Sequence, residues 1–282
     1  MERTVYSSIP MRTWRWLGVN EAYLPEGVSP EVQADADIKI EVPAGENREC
    51  LVVYRKEGHG RITATVGEGG TLKLIKAQLL PVDAPHVDEV DVKVAKDAKV
   101  HYTAVETGSS ETVTKLNIDL EGDRSEADVA AIYLGDGDRK IDMNYVIRHL
   151  GQNTGADMQV RGALKDRSEK IFRGTLDFVH GSHGSVGREK EEVTLLNEGI
   201  RNRSVPLLLS GEDDVDGEHA VSVGRMDQDK LFYLMSRGLD LSEAQILVVE
   251  AAFNPVLERI GDEALRAEID TQIKERIADE RK

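Results

Sequence analysis

The sequence holds a single cysteine, Cys50, in 282 residues. One thiol excludes an intrachain disulfide framework, and it excludes any cysteine-ligated zinc or iron–sulfur site that the chain would build alone. Aromatic residues are scarce, at 5%, and both tryptophans, Trp14 and Trp16, fall close together near the start. Apolar runs are short, as in Ile246 to Val249. None approaches the ~20 residues of a membrane-spanning helix. Met1 to Pro10 lacks a basic stretch followed by an apolar run, so it does not read as a secretory signal. Without one, the sequon Asn202-Arg203-Ser204 reads as chance. Positive charge is in deficit: 36 Lys and Arg against 52 Asp and Glu give a net charge of −16. Such a chain repels phosphate backbones, which argues against nucleic acid as a partner. The expectation is a soluble cytosolic protein with no membrane attachment.

Several catalytic signatures are missing too. There is no G-x-x-x-x-G-K-[ST] loop, no H-E-x-x-H and no G-x-S-x-G. The glycine clusters around Gly67 and Gly135 are followed by alternating residues rather than a helix, so they read as turns. The chain is expected to bind and hydrolyse no nucleotide by itself.

What is present divides into three regions. Residues 1–45 read as a lead-in. Its MRTWRWLGVNEAYL run is expected to form a short helix that packs an aromatic edge onto the body, and Pro25, Pro30 and Pro43 mark extended, loop-rich chain. Residues 46–226 alternate apolar and polar positions. Ile62, Ala64 and Val66 do so, as do Val90, Val92 and Val94, then Leu116, Ile118 and Leu120, then Ile141, Met143 and Tyr145. Period two places each apolar set on one face of a strand. Polar turns separate them at Gly67 to Gly70, Glu121 to Arg124 and Gly135 to Asp138. A sandwich, a barrel and a β-solenoid share this pattern, and small branched inward side chains suit the narrow interior of a solenoid. Residues 227–282 read as helices. Leu231, Phe232, Leu234 and Met235 precede a stop at Gly238. Ser242 and Gln245 match a capping box for the next helix. Pro255 interrupts its apolar stripe, and Leu265, Ile269 and Ile273 mark a last helix that docks on the body or on a partner.

Three constellations could carry chemistry. His180-Gly-Ser-His183 has a two-imidazole spacing, but no third ligand lies nearby in sequence and a solvated turn explains it as well. Asp213-Asp214-Val215-Asp216-Gly217-Glu218-His219 offers carboxylates with a histidine, suited to hard or borderline metals or to acid–base work, against the alternative of an acidic surface turn. Cys50 sits among apolar neighbours, which favours an inert buried thiol over a metal ligand.

The stretch VPLLLSGEDDVDGEHAVSVGRMDQDKLFYLMSRGLDLSEAQILVVEAAFNPVLERI, Val205 to Ile260, is similar to the C-terminal signature of the SufB/SufD family of iron–sulfur cluster assembly scaffolds. Its Pro-Leu run, Asp-Asp-Val, a His shortly before Val-Gly, Leu-Phe-Tyr-Leu-x-Ser-Arg-Gly-Leu and a Phe-x-x-Val motif carry the resemblance. Ile171-Phe172-Arg173-Gly174 and Leu195-Leu196-Asn197 resemble the family more loosely. The resemblance implies a right-handed parallel β-helix with flanking helices. It also implies a dimer, formed with a second copy or a SufB/SufD paralogue, and an ABC-type ATPase partner like SufC bound by the C-terminal helices. Phe232, Tyr233, Arg237, Phe253, Asn254, Val256 and Arg259 fall in that region; core packing competes for the apolar ones, and Asn254 and Arg259 are better placed to face a partner. The chain would then be a non-catalytic scaffold that holds a transient iron–sulfur cluster. His219 aligns with a family histidine at the cluster junction, with Glu218 beside it and Cys50 as a further candidate ligand. The family's late cysteine is absent, since no cysteine follows Cys50. Two alternatives stand beside this: a purely structural subunit without cluster ligands, and a β-helix enzyme of polysaccharides using Asp213, Asp214, Asp216 and Glu218.

Overall fold

A computed structural model describes residues 4–26, 28, 36–56 and 58–278. Fourteen parallel strands form the body. They are β3 (Ala36–Val42), β4 (Asn47–Tyr54), β5 (Gly58–Val66), β6 (Thr71–Gln78), β7 (His86–Val94), β8 (Lys99–Glu106), β9 (Glu111–Leu120), β10 (Glu126–Gly135), β11 (Lys140–His149), β12 (Gly155–Leu164), β13 (Glu169–Phe178), β14 (Ser185–Leu195), β15 (Arg201–Ser210) and β16 (Val215–Arg225). Odd-numbered strands stack in one seven-stranded sheet and even-numbered strands in the other. Each strand pairs in parallel with the strand two along. The chain thus winds as a parallel β-solenoid, the architecture the sequence and the resemblance anticipate.

Stacked coils align equivalent side chains in rows. One inward row of the even sheet runs Cys50, Leu74, Tyr102, Val129, Met158, Glu189, His219. The interior is otherwise mostly Val, Ile, Leu and Ala, nearly all below 5% exposure. The four alternating segments read from the sequence are β5, β7, β9 and β11, all in the odd sheet, and their apolar residues all point inward and are buried. Gly162 in β12 has a structural task. A side chain there would collide with the Tyr133 ring, which leans across from the coil before.

The second halves of β6, β8, β10 and β12 are buried on their outer face as well. Helices α1 (Gln228–Ser236), α2 (Leu241–Leu257) and α3 (Glu263–Ala278) follow the last strand. Phe253, Val256, Leu257, Leu265, Ile269 and Ile273 pack on Ile75, Val105, Ala130, Ile132 and Ala163. The last helix therefore docks on the body. Arg276 of α3 also donates to the Thr107 carbonyl, as does Arg139. Burial, together with Arg276 beside it, pushes the Arg139 guanidinium down to about 9. Gly238 stops α1 with φ of 101°. The cap of α2 corrects the sequence expectation: Asp240 and Glu243, not Ser242 and Gln245, make the capping box. Asp-x-x-Glu satisfies the same reciprocal geometry two residues earlier. Pro255 sits in the last turn of α2, which ends at Leu257.

The lead-in differs from expectation. It forms an antiparallel hairpin of β1 (Val5–Ser8) and β2 (Glu21–Tyr23), with a single 3-10 turn at Arg15–Leu17. Trp14 and Trp16 are exposed rather than packed on the body. The Asn20 amide side chain ties the loop by bonding Thr13, and buried Arg173 anchors the hairpin by donating to the Val19 and Glu21 carbonyls. The solenoid begins at Ala36, inside the region read as lead-in. Pro30 lies outside the described residues.

Candidate functional site

Strands β15 and β16 end their sheets, and among the described residues no strand pairs beyond them. The solenoid interior is therefore open at this end. His219 lies on β16 in register with buried Glu189, so its side chain continues the inward row and is exposed only because no further coil covers it. Val221 and Val223, at the next inward positions, are 37% and 45% exposed. Glu218 is on the opposite face, because neighbours on a strand alternate. It meets Arg188 at 3.4 Å on the outer surface. Cys50 shares the inward row with His219 but sits on β4, at the far end of the sheet. Six strand steps of ~4.8 Å separate them by roughly 29 Å. The three candidate ligands His219, Glu218 and Cys50 therefore do not converge within one chain. Among the described residues, no three His, Cys, Asp or Glu side chains are arranged to hold a metal ion.

The end of the solenoid contains ionisable groups that the sequence reading missed. Glu191 accepts from Lys170 Nζ at 2.5 Å and from the Tyr133 hydroxyl at 2.9 Å, all three buried. Lys170 also reaches Ser204 Oγ at 3.0 Å on β15. Burial pulls the Lys170 pKa down, and Glu191 only partly opposes this. Glu189 is 2% exposed, and neither of its carboxylate oxygens has a hydrogen-bond partner. Burial, followed by the neighbouring Glu191, pushes its carboxyl up to about 8. Both glutamates fall in the charged run Arg188-Glu-Lys-Glu-Glu-Val193, and the register places its alternate residues Glu189 and Glu191 on the inward face with Val193.

A second interior cluster lies in the second and third coils, toward the β3 and β4 end. Lys76 Nζ sits 2.7 Å from Asp88 and 2.5 Å from Glu106, and His86 Nε2 is 2.7 Å from Asp88. Burial works against the Lys76 charge, but the two carboxylates outweigh it and hold the ammonium protonated. His180 and His183 are exposed in the turn after β13. A partner distant in sequence, Glu212, stands 3.6 Å and 3.3 Å from their Nδ1 atoms. The acidic residues Asp213, Asp214 and Asp216 are exposed on the turn into β16 and at its start.

The proposed partner-facing residues divide. Phe232 is 76% exposed and Tyr233 56% exposed, with Arg237 stacked 5.1 Å from the Tyr233 ring centroid. Met235, Leu241 and Leu247 extend this exposed apolar surface. Asn254 is exposed as well. Phe253 and Val256 are buried against the even sheet, within the stripe that docks α2. Arg259 turns inward to Asp128 at 2.8 Å.

The fold is a parallel β-solenoid, open at its last coil, with a docked helical tail. The family model for the SufBD core domain of the SUF system for FeS cluster assembly matches residues 35–252, and the chain belongs to this family. It is 29% identical to the iron–sulfur cluster assembly protein SufD of Bacillus subtilis over 182 residues, covering 64% of this chain and 42% of that protein. A SufBD family assembly protein of Mycobacterium leprae is 23% identical over 268 residues, covering 84% of this chain and 30% of the relative. The chain spans less than half the length of these relatives. No helix is long and apolar enough to cross a membrane among the described residues.

Proposed function

We propose that this chain is a non-catalytic scaffold subunit of a SUF-type assembly complex. It pairs through the open end of its solenoid, with a second copy or a paralogue, and binds an ABC-type ATPase through α1 and α2. The observation that carries this reading is the family match from residue 35 to 252, which takes in the solenoid, α1 and most of α2. Two surfaces support it. The uncovered edges of β15 and β16, with exposed Val221 and Val223, offer both backbone pairing and apolar area to a facing solenoid. Exposed Phe232, Tyr233, Met235 and Leu247 on adjoining helices leave an apolar patch that a monomer gains nothing by displaying. Nucleotide-driven closure of two ATPases would move the bound helices and so strain the junction. His219 at that junction would contact the nascent cluster.

The test is anaerobic affinity purification from the native host, with copurifying subunits identified by mass spectrometry. The expected result is an ABC-type ATPase in near-equal amount. Its absence under all conditions contradicts the proposal. A second β-solenoid subunit beside the ATPase makes the pair a heterodimer; none makes it a homodimer.

A further inference from the structure

Both tryptophans of the chain stand in solvent on a loop that is pinned in place. Trp14 and Trp16 are 65% and 76% exposed, and Met11 and Leu17 beside them are exposed as well. The two rings lie 6.2 Å apart. Thr13 donates to the Asn20 side chain from its amide at 2.7 Å and from its hydroxyl at 2.8 Å, and the Leu17 amide closes the turn on the Trp14 carbonyl. The displayed rings offer on the order of 300 Å2 of aromatic surface, a size at which exposed patches are often functional. Aromatic surface held rigid in advance loses little entropy on binding.

The position of the loop narrows its occupant. The hairpin crosses the outer face of the odd sheet from coil to coil. Tyr6 meets His59 of β5 at 3.3 Å, the Val19 carbonyl accepts from Arg173 of β13, and a side chain on Gly18 would touch Arg203 of β15. The tip therefore stands beside the terminal strand, on the odd sheet, whereas α1 and α2 pack on the even one. Charge at this open end is divided. Arg12, Arg15, Arg201 and Arg203 make the corner at the start of β15 basic, and Glu21 and Glu169 offset only part of it. Asp213 and Asp214 make the far corner, past the end of β15, acidic. Where a two-fold axis joins two odd sheets edge to edge, β15 runs antiparallel to its mate, so the basic corner of each copy faces the acidic corner of the other.

We propose that the loop from Met11 to Leu17 is an arm that grips a second copy of this chain, laying its tryptophans, Arg12 and Arg15 on that copy's turn at Asp213 and Asp214. Each subunit gives one arm and receives one. The arm rests on the reading that the chain pairs through its open end, and adds to that junction a contact outside the solenoid interior.

Both tryptophans lie in the arm, so intrinsic tryptophan emission reports on it alone. The purified full chain is concentrated stepwise, with mass followed by light scattering and emission recorded at each step. The expected result is a dimer whose emission shifts to shorter wavelength in step with its mass. Arg12→Glu with Arg15→Glu is expected to weaken association at least tenfold at an unchanged Tm, and adding Asp213→Arg with Asp214→Arg to the same chain is expected to restore it. A dimer with unshifted emission, or one indifferent to the charge reversal, overturns the arm and leaves the pairing in place. A chain that stays monomeric at every concentration overturns the second copy as occupant, and the ATPase copurification still decides the scaffold reading separately. An emission shift when anionic phosphatidylglycerol vesicles meet the monomer assigns the arm to a membrane surface and likewise overturns the proposal.

Discussion

Lys76 is wholly buried with two carboxylates and a histidine around it, so its charge is fixed by its neighbours rather than by water. Removing it leaves Glu106 without its cation and Asp88 with only His86 and Thr114 inside the solenoid. Lys76→Met is therefore expected to cost about 3–5 kcal/mol in a denaturant melt, far more than the loss of a surface lysine. His149 makes the opposite case. It stacks on Phe178 at 4.4 Å, and its Nδ1 meets Thr154 Oγ1 at 2.7 Å. Burial pushes its pKa down to about 4. The unfolded chain takes up a proton near pH 6.5 and the folded chain does not, so stability falls as pH drops from about 6.5 to 4, by ~3 kcal/mol in all. Replacing His149 with Gln should flatten that acid slope, as measured by Tm against pH. An unchanged slope would place the acid sensitivity elsewhere.

Among the elements, α1 and α2 separate docking from display. Phe253 is 1% exposed against the even sheet, and Phe253→Ala is expected to cost about 3–5 kcal/mol. Phe232 is mostly in solvent, so Phe232→Asp with Tyr233→Asp should leave Tm within about 1 °C and abolish retention of the ATPase in a pull-down. Retained ATPase would move the docking surface off α1. The elements also explain what the sequence revealed. Strands of the odd sheet alternate cleanly, because their outer face is largely polar, and four of them were legible. Strands such as β10 are buried on both faces under the helices, so Ala127 to Gly135 reads as a nearly continuous apolar run without a period. The α2 cap was misplaced by two residues because two overlapping polar pairs compete for it. The Trp14 and Trp16 loop was misread as packed, since burial of aromatics is the ordinary outcome and this loop is held by Asn20 instead.

For the whole molecule, the solenoid converts distance along the chain into position along an axis. Cys50 and His219 are 169 residues apart yet share one row, at opposite ends of it. That placement could not be read from the sequence, because it depends on the coil register summed over seven strands. His219 was legible through its motif. Glu189 was not, because a glutamate within a charged run reads as solvated until the register places it inside. The most direct test of the account is iron and acid-labile sulfide content of the anaerobically purified complex after supply of Fe2+ and sulfide, compared between wild type and His219→Ala. The account predicts iron and sulfide in about equal amounts on the wild-type complex and a loss of most of both in the variant, with the ATPase still bound. A complex that takes up neither, or a variant that loads like wild type, would contradict the assignment of this open end as the place of assembly.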